Sequence, residues 1–338
     1  MPTKRSTQKY IEEELPYRIL EQLYKNSRSS LRETGKTLGI SYHVVQATLK
    51  KLEAKYKIRY TLELDEAKLG FAEGRIITIK FGVKPDIDFI KSLLQKDVFV
   101  QEAYLTEGDF DLLLYAVGLS QLDFQAWQWN LRITLSPFKP LLKSASVTHR
   151  VVGFLPLGNA LLKESGVLSS TEKSILVLLN ENARIKLNEL ARRAKVSPNR
   201  VIYIIKKLLR LGIIKRFSAL SQASDKKLIV AFGTVHTPTA SHSRLVFKFG
   251  EELLKENFHE SSNDYCLILE PHGHYDAFVI CTFDNGEALL RRGSGLLMNM
   301  FAEEDIKIEK AIITDVLVGM LPLHLEGYDF YRKIATSK

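Results

Sequence analysis

Two short sets of side chains carry the most suggestive chemistry in this sequence: Asn199, Arg200, Tyr203 and Lys206, and Tyr42, His43, Gln46 and Lys50. Their spacing puts each set on one face of a helix. Arg, Asn and Gln offer paired hydrogen bonds that match base edges, and Lys holds phosphates as a point charge. His43 suits a phosphate, a base or simply solvent. Tyr42 and Tyr203 read equally well as rim residues packed on a neighbour. Such a set can act only if its helix is held proud of a domain and surrounded by positive charge, so the flanking sequence decides what it means.

That sequence supplies a holder. Ser197 and Pro198 form an N-cap and a first helical position, opening a helix over residues 198–211 with Val196, Val201 and Ile204 on its inner side. A short helix over 187–194 (Leu190, Ala191) and a longer one over 170–182 (Ile175, Leu176, Leu178, Leu179) precede it. Two helices joined by a tight turn need a small residue where they touch, which Ala191 provides here and Gly35 in the other set. The turn needs positive φ, natural for Gly39, whereas Lys195 at the matching place costs on the order of 1 kcal/mol. This is helix-turn-helix spacing, seen twice. Strands over 58–64 and 213–220 follow as a wing or a linker.

The two occurrences are copies. At an offset of 156 residues Leu20, Asn26, Arg28, Ser41 and Val45 fall on Leu176, Asn182, Arg184, Ser197 and Val201, and Lys50-Lys51-Leu52 falls on Lys206-Lys207-Leu208. The offset grows to 165 where Gly108-Asp109-Phe110-Asp111 meets Gly273-His274-Tyr275-Asp276, and to 166 where the VG-x-LPL at Gly153 meets that at Gly319. A slowly drifting offset is the mark of a tandem duplication.

Charge follows the repeat. Residues 166–220 hold 12 Lys and Arg against 3 Asp and Glu, and residues 1–65 hold 13 against 8, net +9 and +5. Residues 66–165 balance at 11 against 11, and residues 221–338 hold 12 against 17. Basic modules alternating with neutral or acidic ones are the footprint of a nucleic-acid binder with companion domains. The 338-residue length suits two to four domains. No apolar run approaches a membrane span, the N-terminus has no apolar core of a signal peptide, and two cysteines exclude a disulfide framework, so the expected compartment is the cytoplasm.

The companion segments parse as strand, helix, strand, strand, helix, strand over residues 74–150, and again over 228–318 with a first helix at 243–257. This βαββαβ order is the ferredoxin-like plait. The expected fold is therefore α+β, a tandem duplication of a winged helix-turn-helix and a ferredoxin-like domain. The expected boundaries are 1–65, 66–158, 159–222 and 223–338.

Over nearly its whole length the chain resembles two fused copies of the Lrp/AsnC (feast/famine) family of transcription regulators. The matching motifs are Ile175-Leu176…Leu179, Asn182-Ala183-Arg184 and Val196-Ser197…Val201. In the first copy they are Ile19-Leu20…Leu23, Asn26-Ser27-Arg28, Ile40-Ser41…Val45 and the hairpin Thr106-Glu107-Gly108-Asp109-Phe110-Asp111. Thr48 and Ile204 depart from the family, which has an Arg there, and Tyr56 departs from the Gly kept at Gly212. The resemblance implies double-stranded DNA as partner, sequence-specific regulation of transcription by an internal pseudo-dimer, and further association into higher homo-oligomers. It also implies a small effector, often an amino acid, bound near the hairpins, which nominates Thr106, Gly108, Asp109 and Asp111, with Gly273, Tyr275 and Asp276 in the second copy. The same residues read as tight turns in which Gly gives positive φ and Asp accepts backbone hydrogen bonds.

Enzymatic fingerprints are missing: the sequence has no P-loop, H-E-x-x-H, G-x-S-x-G or dinucleotide motif. The expectation is a non-enzyme with no cofactor and no metal, His259, His272 and His274 lacking partners at ligand spacing. Siroheme decarboxylases resemble the same family and use histidine near this hairpin, so His272-Gly273-His274-Tyr275 keeps that alternative open. A non-specific chromosomal DNA-binding protein is a second alternative. Cys266 and Cys281 should face each other across the second hairpin, as thiols in a reducing compartment or as a cross-strand disulfide.

Overall fold

The computed structural model describes residues 15–72, 74–222, 228–235, 266–283, 287, 307–319 and 322–323. The first head is α1 (Leu15–Lys25), α2 (Leu31–Leu38) and α3 (Tyr42–Tyr56), leading into β1 (Arg59–Leu64). Ser30 and Glu33 form a reciprocal capping box that starts α2, and Ser41 caps α3. The second head repeats this as α7 (Ser170–Glu181), α8 (Leu187–Arg193) and α9 (Pro198–Arg210), leading into β6 (Ile214–Gln222). A capping box of Ser169 and Glu172 opens α7.

Between the heads lie β2 (Arg75–Phe81), α4 (Ile87–Gln95), β3 (Val100–Gly108), β4 (Leu112–Ala116), α5 (Gln121–Leu135) and β5 (Pro140–Val152), the expected βαββαβ unit. A short helix α6 (Asn159–Glu164), not anticipated from the sequence, bridges to the second head. The second unit supplies β7 (Leu228–Val235), β8 (Cys266–Gly273), β9 (Ala277–Phe283) and β10 (Lys307–Val318). The helix expected over 243–257, and His259, lie outside the described residues. No helix among the described residues is long and apolar enough to cross a membrane.

Each unit has its four strands in the order second, third, first, fourth, all antiparallel, which is the ferredoxin-like arrangement. The two sheets then join edge to edge into one closed barrel, β10-β3-β4-β2-β5-β8-β9-β7. Closure leaves neither sheet an open edge. The two seams are equivalent: β5 meets β8 with Ala145 opposite Gly273, and β10 meets β3 with Ala311 opposite Gly108. β3 extends to Gly108 because β10 pairs with it as far as that residue.

In β2 the inward residue Ile76 joins the barrel core, while Ile77 and Ile79 face α4 and α5, where Phe124, Trp127 and Leu131 cover them. Burial on both faces explains why Ile76 and Ile77 are adjacent apolar residues rather than parts of a strict alternation. At about 1.5–3 kcal/mol for each fully buried large apolar side chain, these two layers dominate the stability.

The strands expected as wing or linker act as a linker. β1 pairs antiparallel with β6 across the halves, Thr61 opposite Ser218, and β11 (Pro322–Leu323) adds to β6. The repeated VG-x-LPL marks where each half leaves the barrel: Gly153 follows β5 at φ 83° and Gly319 follows β10 at φ 78°. A β-carbon on Gly319 would lie 1.8 Å from Glu102 Oε2, so only glycine fits this exit.

Candidate nucleic-acid interface

In the second head the α8–α9 turn is closed by two backbone bonds, Lys195 N–H to Arg192 O (3.2 Å) and Val196 N–H to Ala191 O (3.0 Å). This Schellman closure requires positive φ at its centre, and Lys195 adopts it, at φ 56°. In the first head Gly39 makes the same closure at φ 68° without side-chain strain. The lysine costs the fold about 1–2 kcal/mol relative to glycine.

Val201, Ile204 and Leu208 are fully buried under α9, while Val196, expected inside, is only half-buried. Asn199, Arg200, Tyr203 and Lys206 all lie exposed on the opposite face. The Arg200 guanidinium rests 5.2 Å from the centroid of the Tyr203 ring, so Tyr203 steadies the arginine as well as facing solvent. The three acidic residues of this head are already engaged: Glu172 with Lys207 (2.7 Å), Glu181 with Arg193 (3.2 Å) and Glu189 with Arg192 (2.7 Å). Arg200 and Lys206 have no ion pair among the described residues, which leaves their charge directed outward.

On α3 of the first head, Tyr42, His43, Gln46 and Lys50 are likewise exposed, above buried Val45, Leu49 and Leu52. Tyr42 packs edge-on to His43 at 5.1 Å.

The N-x-R motif places both helices. Ser27 N–H donates to Phe217 O (2.9 Å) and Arg28 Nη1 to Ala183 O (2.7 Å), with the Arg28 guanidinium over the Phe217 ring at 5.4 Å. Reciprocally, Ala183 N–H donates to Tyr60 O (3.0 Å) and Arg184 sits 4.9 Å from the Tyr60 centroid. Asn26 and Asn182 shape these loops by accepting from the Arg28 and Arg184 N–H groups. Each head therefore docks on the linker strand of the other half. Burial lowers the Arg28 pKa, and burial together with the Glu53 carboxylate pushes the Tyr60 hydroxyl up to about 12.

The nominated hairpin residues are largely spent on the fold. Thr106 donates to Phe110 O (2.7 Å). Asp109 N–H donates to Lys310 O (2.9 Å) while Asp109 Oδ2 accepts from Lys310 N–H (2.8 Å). Asp111 bridges Lys80 Nζ and Phe81 N–H, both at 2.8 Å. Gly108, at φ 147°, presses on the β10 backbone, where a β-carbon would be 2.4 Å from Lys310 O, and Gly273 does the same against Ser144 O at 2.9 Å. Tyr275 is wholly buried, and Asp276 half-buried. Thr106 and Asp111 do line a half-open pocket of about 140 Å³ on the flank of the first hairpin, with Lys84, Ile87, Ile90 and Glu107. Gly108, Asp109 and the three second-copy residues are not part of it.

One cluster was not foreseen. Tyr275 Oη lies 2.7 Å from Thr78 Oγ1 and donates to Glu309 Oε2 at 2.8 Å. Glu309 also pairs with Lys143, and His274 Nε2 lies 3.6 Å from its carboxylate. Burial alone would raise the Glu309 carboxyl, but the Lys143 ammonium and the Tyr275 hydroxyl outweigh it and hold the pKa below the usual range. Burial lowers the His274 pKa and drives that of Tyr275 far up. A signal was available: Lys143 and Glu309 stand 166 residues apart, the offset of the repeat at that point. Among the described residues no cluster of His, Cys, Asp or Glu could hold a metal. Cys266 and Cys281 are register partners on β8 and β9, and Cys281 is a buried thiol outside any disulfide.

Residues 168–215 match the family described as winged helix-turn-helix DNA-binding. An uncharacterized HTH-type transcriptional regulator of Pyrococcus horikoshii is 34% identical over 103 residues, 30% of this chain and 69% of that protein. The HTH-type transcriptional regulator LrpA of the same organism is 37% identical over 94 residues, 27% of this chain and 64% of LrpA. The crystal structure of the siroheme decarboxylase NirDL with an iron-uroporphyrin III analogue superposes with a TM-score of 0.60, covering 95% of this chain and 99% of that one. At 14% identity this last likeness concerns the architecture alone, and it spans both halves. The chain belongs to the Lrp/AsnC family of helix-turn-helix transcriptional regulators.

Proposed function

We propose that this protein is a sequence-specific DNA-binding transcription regulator whose single chain acts as a pseudo-dimer. The observation that carries this reading is the pair of exposed, basic recognition helices α3 and α9, held by reciprocal docking of each head on the other half's linker strand. Arg200, Asn199 and Gln46 read bases, and Lys206 and Lys50 hold phosphates, the division of labour their side chains suit. His43, Tyr42 and Tyr203 complete the two surfaces. Because the helices differ at nearly every outward position, the preferred site has two unlike half-sites rather than a palindrome. A protection assay at fixed salt, with random DNA as competitor, tests this. Protection of one asymmetric site that survives competition supports it, and binding abolished by random DNA would leave the non-specific chromosomal reading.

The flank pocket suits a small zwitterion: Glu107 would face an ammonium group, Lys84 a carboxylate, and Ile87 and Ile90 a short apolar side chain. Calorimetric screening of the free amino acids, with Lys84→Ala as control, tests it. One observation favours a second reading, of a non-regulatory decarboxylase: His274 stands beside Tyr275 at the barrel seam in a chain whose whole architecture matches NirDL. Against it, the Tyr275 hydroxyl and the Glu309 carboxylate are consumed by internal partners. A tetrapyrrole titration that leaves the pigment's absorbance unchanged sinks that reading.

A further inference from the structure

Three non-glycine residues in the described structure have positive φ, and all three are lysines: Lys57 (41°), Lys139 (49°) and Lys195 (56°). Two of them flank recognition helices. In the second head Lys195 occupies the turn that enters α9, and Gly212 (φ 68°) the turn that leaves it. In the first head Gly39 stands at the entry to α3 and Lys57 at its exit, one residue beyond Tyr56, the position equivalent to Gly212. At Gly39, Lys195 and Gly212 the backbone is dictated by helix closure, as their hydrogen bonds show, and at Lys57 the left-handed backbone likewise suits glycine better than lysine. The duplication demonstrates this for Lys195, because the first head has Gly39 at the equivalent position and makes the same closure.

Strain kept where an unstrained alternative exists points to a role outside the fold. A cation is favoured at any helix C-terminus by the macrodipole, which accounts for lysine over other residues, but this applies equally to Lys139, which closes a turn in the regulatory unit. What distinguishes Lys57 and Lys195 is their place beside an exposed recognition helix. Both are exposed, and neither has an ion pair among the described residues. At Gly39, the counterpart of Lys195, a β-carbon would meet nothing within 4 Å, so a side chain there projects into open space.

We propose that Lys195 and Lys57 are phosphate clamps for the DNA backbone, gripping it at the entry of the second recognition helix and at the exit of the first. The proposal rests on the DNA-binding reading and adds two contacts to it. The clamps approach from opposite ends of their helices, so the two half-sites are held in different registers relative to the heads. Lys139 is the built-in control, sharing the strain but not the location.

The test uses the full chain and three variants, Lys195→Gly, Lys57→Gly and Lys139→Gly. Thermal unfolding and affinity for a duplex carrying the protected site are measured at several salt concentrations. Lys195→Gly and Lys57→Gly should bind about threefold to tenfold more weakly at low salt. Each should lower the salt slope by about 0.9, so its deficit shrinks about threefold to fourfold between roughly 50 and 200 mM salt. Neither should unfold earlier than the parent. Lys139→Gly should bind as the parent does. Lys195→Arg, keeping the charge, should retain the parent's slope. Parent-like affinity and slope in both Lys195→Gly and Lys57→Gly would overturn the clamps, as would an equal loss in Lys139→Gly. If the parent itself shows no salt-dependent DNA binding, the functional reading fails, and that result is distinct from either.

Discussion

The two seams of the barrel have the same backbone and different chemistry. At both, a hairpin glycine lies opposite an alanine and the residue after it donates a backbone bond across the joint, His274 to Ser144 O and Asp109 to Lys310 O. Beyond that the seams part. The β5–β8 seam buries Tyr275, whose ring fills the space above Gly233 and whose hydroxyl reaches Thr78 and Glu309. The β10–β3 seam has Phe110 at the equivalent place. Lys143 and Glu309 are themselves equivalents, meeting where a true two-fold axis would bring like to like. Two identical chains would bring lysine to lysine or glutamate to glutamate there. Joining the halves in one chain removes that constraint, so a position that repels in a homodimer becomes an ion pair.

The sharpest way to break the comparison is to crowd both seams equally. Gly108→Ala should cost about 3–4 kcal/mol and Gly273→Ala only about 1–2, the added β-carbon meeting backbone more closely in the first. Chemical denaturation of the two variants would rank them, and the opposite order would mean that the seam geometry is wrong. Glu309→Gln should cost about 2–3 kcal/mol by leaving Lys143 without its counter-charge, and the exchange Lys143→Glu with Glu309→Lys should recover part of that. Extending the contrast to the heads, Arg200→Ala should lose about 1–3 kcal/mol of DNA affinity in one half-site, and Gln46→Ala less, in the other. Loss of protection over the same half by both would contradict unlike heads. Tyr275→Phe makes the seams alike and should cost about 1 kcal/mol.

The ion pair at the axis also sets the acid stability. The lowered pKa values of Glu309 and His274 mean that the unfolded chain binds their protons more readily than the folded one does. Their contribution is present above the unfolded values and is lost as pH falls, for His274 from 6.5 downward and for Glu309 from 4.5 downward. Urea melts against pH should show Glu309→Gln converging on the parent in the lower range. A constant gap between the two would remove the carboxylate from this role.

The heads and the βαββαβ order were legible because each rests on local periodicity: the capped start at Ser197-Pro198, the inward Val201, and RIITIKF buried on both faces. The repeat was legible as an offset. What pairs with what across the halves was not, since Lys143 and Glu309 look like ordinary surface charges until closure of the barrel brings β5 and β10 together at the axis. Asp109 and Asp111 illustrate the opposite difficulty. Their residue types suit a ligand, but only coordinates reveal that Lys310 N–H, Phe81 N–H and Lys80 have already claimed most of their oxygens. The N-x-R motif marked family membership, yet its work, fastening each head to the opposite linker strand, depends on a contact about 155 residues away.

Closure of the barrel within one chain bears on how such a regulator responds to scarcity. A regulator assembled from two separate chains comes apart on dilution, and when few copies are present the occupancy of its site falls with the square of their number. Here the second head is tethered at an effective concentration that dilution cannot change. If one chain is the binding unit, as proposed, occupancy of its site would follow the first power of the number of molecules, and the switch would stay proportionate in a cell that makes only a handful of them.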